Sequence, residues 1–264
     1  MIAETLRDVF TRNLIATYFE LGLATSSGET WIDSGFRACL GDLDHPICNF
    51  AAELRLDPWS VRRLRDLAAS RGAFNVYVLP GDQPDHLTEL LVRAGFKQQY
   101  ELAQMIAKPS ALVLTDCSPA LVPHEVIDLR ARFKVARFMA DQFFPRQAEL
   151  FKKRVATVTA QASRLRLYEM QSSGTMVGGV MLSAADGVLG IYNLCVAAAH
   201  RGNGFGADLV RWAQAQASQL EGVATLQCDE RMVAWYEHLG FQSVGKIRVY
   251  TLCHDDMDVI LEPI

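Results

Sequence analysis

The stretch from Gly187 to Ala207 constrains the fold more than any other part of the chain. Val188 to Val196 reads as a strand that is almost wholly apolar, as expected of a strand covered on both faces. Val196 runs into Ala197-Ala198-Ala199-His200-Arg201-Gly202-Asn203-Gly204-Phe205-Gly206-Ala207. From Gly206 to Leu220 the pattern becomes helical, with Leu209, Val210, Ala213, Ala217 and Leu220 on one stripe. Glycines at alternate positions keep side chains off the backbone and let successive N–H groups point into one concavity. The following helix adds its free N-terminal donors and roughly half a positive charge. Strand, turn and helix together form an anion cradle that suits a pyrophosphate. A glycine-rich turn with no ligand is the plainer alternative.

Gly202-x-Gly204-x-x-Ala207 formally satisfies a dinucleotide-binding fingerprint, and Glu221 lies where a ribose-binding acid would be sought. That fingerprint needs the strand to run straight into its first glycine and normally opens its domain. Here Ala197 to Arg201 intervene and several strands come first, so the dinucleotide reading is disfavoured.

The remaining pattern predicts helices over Ala3–Leu21, Asp57–Arg71, Asp85–Ala94, Pro123–Gln142, Arg146–Gln161 and Arg231–Leu239. Gly72 and Gly95 are read as helix stops. Strands are predicted over Ile47–Leu54, Asn75–Leu79, Gln98–Ala107, Arg164–Met170, Met176–Ser183, Ala224–Cys228 and Val244–Cys253. Leu40 to Pro46 is loop-like. The fold class is therefore α/β, or α+β with a mixed sheet. Lys108-Pro109-Ser110 offers a boundary between domains at 1–110 and 111–264. Helix, Gly-Phe, strand occurs twice, at Gly95-Phe96 and at Gly240-Phe241, and each lies at the end of a proposed half. A duplicated fold is the better reading of that echo.

Composition narrows the function. In 264 residues there are 26 basic and 30 acidic side chains, a net charge of −4, and 50% are hydrophobic. Such a chain buries a sizeable core and lacks the broad basic footprint of a nucleic-acid binder. No apolar run is long enough to span a bilayer, and the first residues lack a secretory pattern, so a cytoplasmic protein with no membrane partner is expected. Cys39, Cys48, Cys117, Cys195, Cys228 and Cys253 form no Cys-x-x-Cys pair and read as free, mostly buried thiols. His254-Asp255-Asp256 is the nearest approach to a metal cluster and reads as a solvated turn, so no metal is expected.

With Arg201-x-x-Gly204-x-Gly206 placed after a strand ending in Val196, the chain resembles the GNAT superfamily of acyl-CoA-dependent N-acyltransferases. A second block of that family, Asn-x-x-Ala-x-x-x-Tyr-Glu-x-x-Gly-Phe, is similar to Asp229-x-x-Met232-x-x-x-Tyr236-Glu237-x-x-Gly240-Phe241. Asp229 and Met232 depart from it. The resemblance covers about Leu121 to Leu252. It implies a GNAT acyltransferase fold, tandem with a degenerate N-terminal copy. It implies acetyl-CoA as cosubstrate and a small-molecule or peptide amine as acceptor, with oligomeric state left open.

The resemblance also implies roles for residues. Arg201, Gly202, Asn203, Gly204, Phe205, Gly206 and Ala207 would hold the coenzyme pyrophosphate, and Cys195 and Val196 would pair with the pantetheine arm, with Asp229 a further coenzyme contact. The Val196 N–H is the oxyanion donor, worth about 3 kcal/mol in a dry site. Tyr236 is the acid for the departing thiolate, although a phenol near pKa 10 yields its proton to a thiolate near 8.5 only at a cost of about 2 kcal/mol. Core packing beside Trp235 is its plainer reading. Family members often carry a carboxylate on the strand before the loop; here Tyr192 and Asn193 are the polar residues, leaving Glu169, Asp141 or water as base. A covalent acyl-enzyme on Cys195 has no His-x-Cys signal behind it. In the first half Leu91 stands where Tyr236 stands, so that half is read as having lost both cradle and acid. Its Trp31, Asp33, Asp42 and Asp44 suit either a cationic acceptor or a solvated loop. A non-catalytic acyl-CoA-binding module is the rival function.

Overall fold

The computed structural model describes residues 2–108, 122–220 and 222–253, with side chains from Val9 onward. Pro109, Ser110, Cys117, Glu221 and His254 to Asp256, singled out above, lie outside the described residues. The elements in chain order are α1 (Ile2–Leu23), β1 (Glu29–Ile32), β2 (Arg37–Leu40), β3 (Phe50–Ala52), α2 (Pro58–Ala69), β4 (Asn75–Val78), α3 (Leu87–Arg93) and β5 (Phe96–Ala107). There follow β6 (His124–Val126), α4 (Leu129–Phe143), α5 (Glu149–Gln161), β7 (Arg166–Ser172), β8 (Thr175–Ala185) and β9 (Val188–Val196). The last are α6 (Phe205–Gln219), β10 (Val223–Cys228), α7 (Glu230–His238) and β11 (Gln242–Leu252). Their described residues form two compact units: one up to Gln104 and again from Gly245 onward, the other within Met105–Val244.

In the first unit the strands lie in the order β1-β2-β3-β4-β11-β5. β1, β2 and β3 are antiparallel neighbours, β3 and β4 are parallel, and β11 joins β4 antiparallel with Val249 opposite Tyr77. Lys246 on β11 reaches Glu101 on β5 at 2.7 Å. Phe36, Leu64, Leu91 and Phe96 anchor the core. α1 buries far more than one stripe: Phe10, Leu14, Ile15, Phe19 and even Thr17 are inside, and Tyr18 packs against Phe50 and Tyr77.

In the second unit the order is β10-β9-β8-β7-β6. β6 to β9 are antiparallel in sequence, and β9 and β10 are parallel. Met105, which belongs to this unit, accepts through its carbonyl from Thr225 Oγ1 of β10 at 3.0 Å. Two adjacent glycines of β8 show how the helices are layered. A Cβ on Gly178 would meet Leu209 of α6 at 2.9 Å, and one on Gly179 would meet Met139 of α4 at 3.2 Å. Successive strand residues point to opposite faces, so α4 and α6 cover opposite sides of this sheet. The hairpins on either side of β8 turn through Ser173-Gly174 and Asp186-Gly187, all with positive φ, the geometry that suits strand twist.

Four expectations change. The helix expected from Pro123 begins only at Leu129, because His124–Val126 pair with β7 as a strand and Asp128 caps the helix, accepting from the Ala131 amide. Gly72 is not in a left-handed conformation; its missing Cβ makes room for the Asp44 carboxylate, which would lie 2.8 Å from one. Leu220 is 53% exposed rather than part of the buried stripe. β1 and β2 were not legible as strands.

Buried Arg132 of α4 ties the second unit together. Its guanidinium donates to the carbonyls of Ala160, Ala162 and Leu165 at 2.7–2.9 Å, satisfying groups that the end of α5 leaves open. Replacing Arg132 by Ala is expected to lower unfolding stability by about 3 kcal/mol, read by urea denaturation, because it strands these acceptors.

Candidate functional site

The site begins with a fault in a strand. β9 pairs with β8 along its length, but Gly179 faces Cys195 whereas Met181 faces Tyr192, so β9 carries one extra residue. Asn193, at φ +48°, stands in this bulge. On its other edge β9 is paired with β10 only from Val188↔Val223 to Gly190↔Thr225. Beyond that register the two strands have no partner positions in common, and a gap opens between their ends.

The end of β9 faces that gap. The Ala197 amide donates to Val177 on β8 at 2.9 Å. Alternation along an antiparallel ladder turns the Val196 N–H and C=O the other way, toward β10. Arg201 Nε closes on that carbonyl at 3.2 Å, which leaves the Val196 N–H as the outward donor. A short 3-10 turn, Ala198–His200, then leads into the glycine loop. Asn203 holds it by donating to the His200 carbonyl at 3.2 Å.

Gly202 (φ +80°) and Gly204 (φ +84°) are left-handed, and Gly204 caps α6. A Cβ at either would meet nothing within 4 Å, so conformation alone demands glycine there. Among the described residues the amides of Gly202, Asn203, Gly204, Phe205, Gly206 and Ala207 donate to no acceptor; the Asp208 amide is the first to bond, to the Gly204 carbonyl. Gly206 lies where Val196 and Trp235 of α7 approach, 3.9 and 3.8 Å from the position a Cβ would take. These free donors at a helix start are what a diphosphate needs.

α7 brings Tyr236 in beside Trp235 and Phe241, ring centroids 4.7 and 5.7 Å away. Its hydroxyl makes no hydrogen bond among the described residues. Burial, with Cys228 nearby, pushes the phenol up to about 12. Asp229 caps α7: its Oδ1 accepts from the Arg231 amide at 2.9 Å and from the guanidinium at 2.8 Å, which holds the carboxyl below its usual range. Cys195 is buried, and that burial pushes its thiol up to about 12 against the opposing Gly179 amide and Arg201. At neutral pH it stays a thiol.

The other candidates are committed elsewhere. Asp141 pairs with Arg137 and Lys152, and Glu169 on β7 accepts from Gln171 at 2.8 Å. In the first unit Asp33 binds Arg63 at 2.7 Å with its side chain 5% exposed, and Asp42 accepts from Ser26. Trp31 lies on β1 rather than in a loop, 47% exposed. Among the described residues no His, Cys, Asp and Glu gather in a group that could hold a metal ion.

The first unit repeats the order strand-strand-strand-helix-strand-helix-strand, but its corresponding positions are closed. Asp57 fills the start of α2 by accepting from the Trp59 and Ser60 amides, and Pro58 has no amide to give. Past β3, Leu54 and Leu56 pair with Gln83 instead of β4, and Asp82 accepts from Leu54 and Leu79 amides at 3.0 and 2.8 Å. The chain itself bridges the two strand ends. Sequence reading missed this plug, the Asn193 bulge and the role of Gly178. Gly178-Gly179 inside an apolar strand was the available signal for close packing.

A family model described as the acetyltransferase (GNAT) family matches residues 127–241. Among solved structures, a GCN5-related N-acetyltransferase from Kribbella flavida is similar at TM-score 0.65 and 19% identity, over 90% of this chain and 94% of that one. A tandem GNAT protein from the clavulanic acid biosynthesis pathway, solved without AcCoA, is similar at 0.58 and 16%, over 88% and 86%. A GCN5-related N-acetyltransferase from Sphaerobacter thermophilus gives 0.53 and 13%, over 82% and 76%. These likenesses show the fold. No curated protein sequence matches the chain.

Gly204→Ala is expected to weaken binding of a diphosphate ligand such as ADP about tenfold, since a left-handed alanine costs about 1–2 kcal/mol. Gly204→Asn should lose less, because asparagine tolerates that conformation. Calorimetric titration of both variants checks the pair.

Proposed function

From the premise that this chain is an acyltransferase of the GNAT family through residues 127–241, we propose that it transfers an acetyl group from acetyl-CoA directly to an amine in a ternary complex. The observation that carries this reading is the run of unpartnered amides from Gly202 to Ala207 beside the outward Val196 N–H. The first holds the pyrophosphate of the cosubstrate, and the second meets the oxygen on which charge develops as the amine attacks. Arg201 fixes the Val196 carbonyl and adds positive charge at the loop. Cys195 and Val196 offer backbone groups to the pantetheine arm in the gap that β10 leaves open. Phe205 and Asn203 shape the loop. Asp229 acts through α7, whose start it caps and whose position carries Tyr236.

Bond formation between the amine nitrogen and the carbonyl carbon breaks the carbon–sulfur bond and leaves a thiolate. With its phenol near 12, Tyr236 would give up its proton to a thiolate near 8.5 only at a cost of about 5 kcal/mol. Its role is therefore to donate a hydrogen bond to the thiolate, with solvent supplying the proton later. β9 carries no carboxylate, Asp141 is held by Arg137 and Lys152, and Glu169 accepts from Gln171, which supports water as the group that takes the amine's proton in this reading. Burial that holds the Cys195 thiol protonated at neutral pH speaks against a covalent relay by that residue.

Tyr236→Phe is expected to cut kcat by about 30-fold, the worth of about 2 kcal/mol of hydrogen bonding to a charged group. KM for acetyl-CoA should stay nearly unchanged. Coenzyme release measured across an amine panel tests this, and undiminished turnover would remove Tyr236 from the mechanism. A phenol near 12 stays protonated at every pH below about 11. The rate should rise with pH as the acceptor amine deprotonates, then level off with no falling limb below pH 10, as a pH–rate profile would show.

A further inference from the structure

The first unit carries a second place suited to an anion, away from its plugged strand ends. Helices α2 and α3 flank an open surface pocket of about 260 Å³ lined by Pro58, Val61, Leu90 and Ala94 and by three arginines, Arg62, Arg65 and Arg93. Among the described residues no carboxylate lines it. Arg62 and Arg65 form no ion pair among the described residues; Arg62 lies over the Trp59 ring, 5.8 Å from its centroid. Arg93 reaches Glu89 at 3.7 Å, with both side chains mostly exposed. Such a pair holds an arginine weakly. The chain as a whole carries a charge of −4, so three arginines along one pocket run against its net field.

The chemistry of the lining selects the ligand. Guanidinium forks match phosphate oxygens bidentately, and a phosphate offers three oxygens to three arginines where a carboxylate offers two. The apolar strip of Val61, Leu90 and Ala94 needs a non-polar body to cover it. A cavity below the usual range of about 300–1,000 Å³ takes a small molecule. We propose that this cavity binds a small organic phosphate, its phosphate on Arg62, Arg65 and Arg93 and its non-polar body on the apolar strip.

The test is calorimetric titration of the full chain with AMP, inorganic phosphate and citrate, repeated on the double variant Arg62→Gln/Arg65→Gln. Both positions are exposed, and circular dichroism confirms that the variant is folded. AMP affinity is expected to fall at least tenfold in the variant, while coenzyme A affinity and thiol release in the acyl-transfer assay stay as in the wild type. AMP should bind more tightly than inorganic phosphate, and citrate more weakly than either. An AMP isotherm unchanged by the substitutions would overturn the proposal. So would a parallel loss of coenzyme A binding, which would show that the substitutions do not act on a site of their own, or citrate binding as tightly as AMP. Should coenzyme A fail to bind the wild type, the acyl-transfer reading falls, while the comparison of AMP between wild type and variant still decides this one.

Discussion

A backbone amide must give its hydrogen to something, and the stretch from Gly202 to Ala207 has no acceptor for it among the described residues. Much of the second unit serves to present those amides. The bulge at Asn193 and the short register between β9 and β10 open the gap that the Val196 N–H faces. Gly178 lets Leu209 press close, seating α6 on the sheet so that its first turn lies at the strand end. Left-handed Gly204 then starts the helix without a side chain to occupy its donors.

The first unit supplies the contrast. Its α2 starts with a side chain already in place, since Asp57 takes the amides that an outside anion would need. Asp82 and Gln83 lie between the ends of β3 and β4 and satisfy the backbone there. The same succession of strands and helices therefore gives one unit with open donors and one with closed ones. Leu91, which stands in the sequence echo where Tyr236 stands, is wholly buried and apolar. What the first unit retains on its surface is the arginine-lined cavity between α2 and α3, which uses side chains rather than amides.

Long apolar or amphipathic segments were the legible part of the sequence. β9 falls on the expected residues, and α6, β10 and α7 lie within a residue or two of them, because periodicity and glycine punctuation agree there. Short edge elements were not legible: β1 is exposed throughout, and β6 has only three residues, so neither leaves an alternating pattern. The glycine loop announced its own shape, since Gly202 and Gly204 needed positive φ. Gly72 did not, because a glycine kept for close approach to Asp44 looks the same in sequence as one kept for a helix stop. The commitments of Asp229 and Asp33 to local hydrogen bonds depend on neighbours that only the fold brings together or orients.

The most direct measurement follows the glycine amides themselves. In a ¹⁵N-labelled sample titrated with coenzyme A, the resonances of Gly202, Gly204 and Gly206 should move together and saturate at the stoichiometry of one coenzyme per chain. Binding that leaves those amides unmoved, or no binding at all, would contradict the role given to this loop.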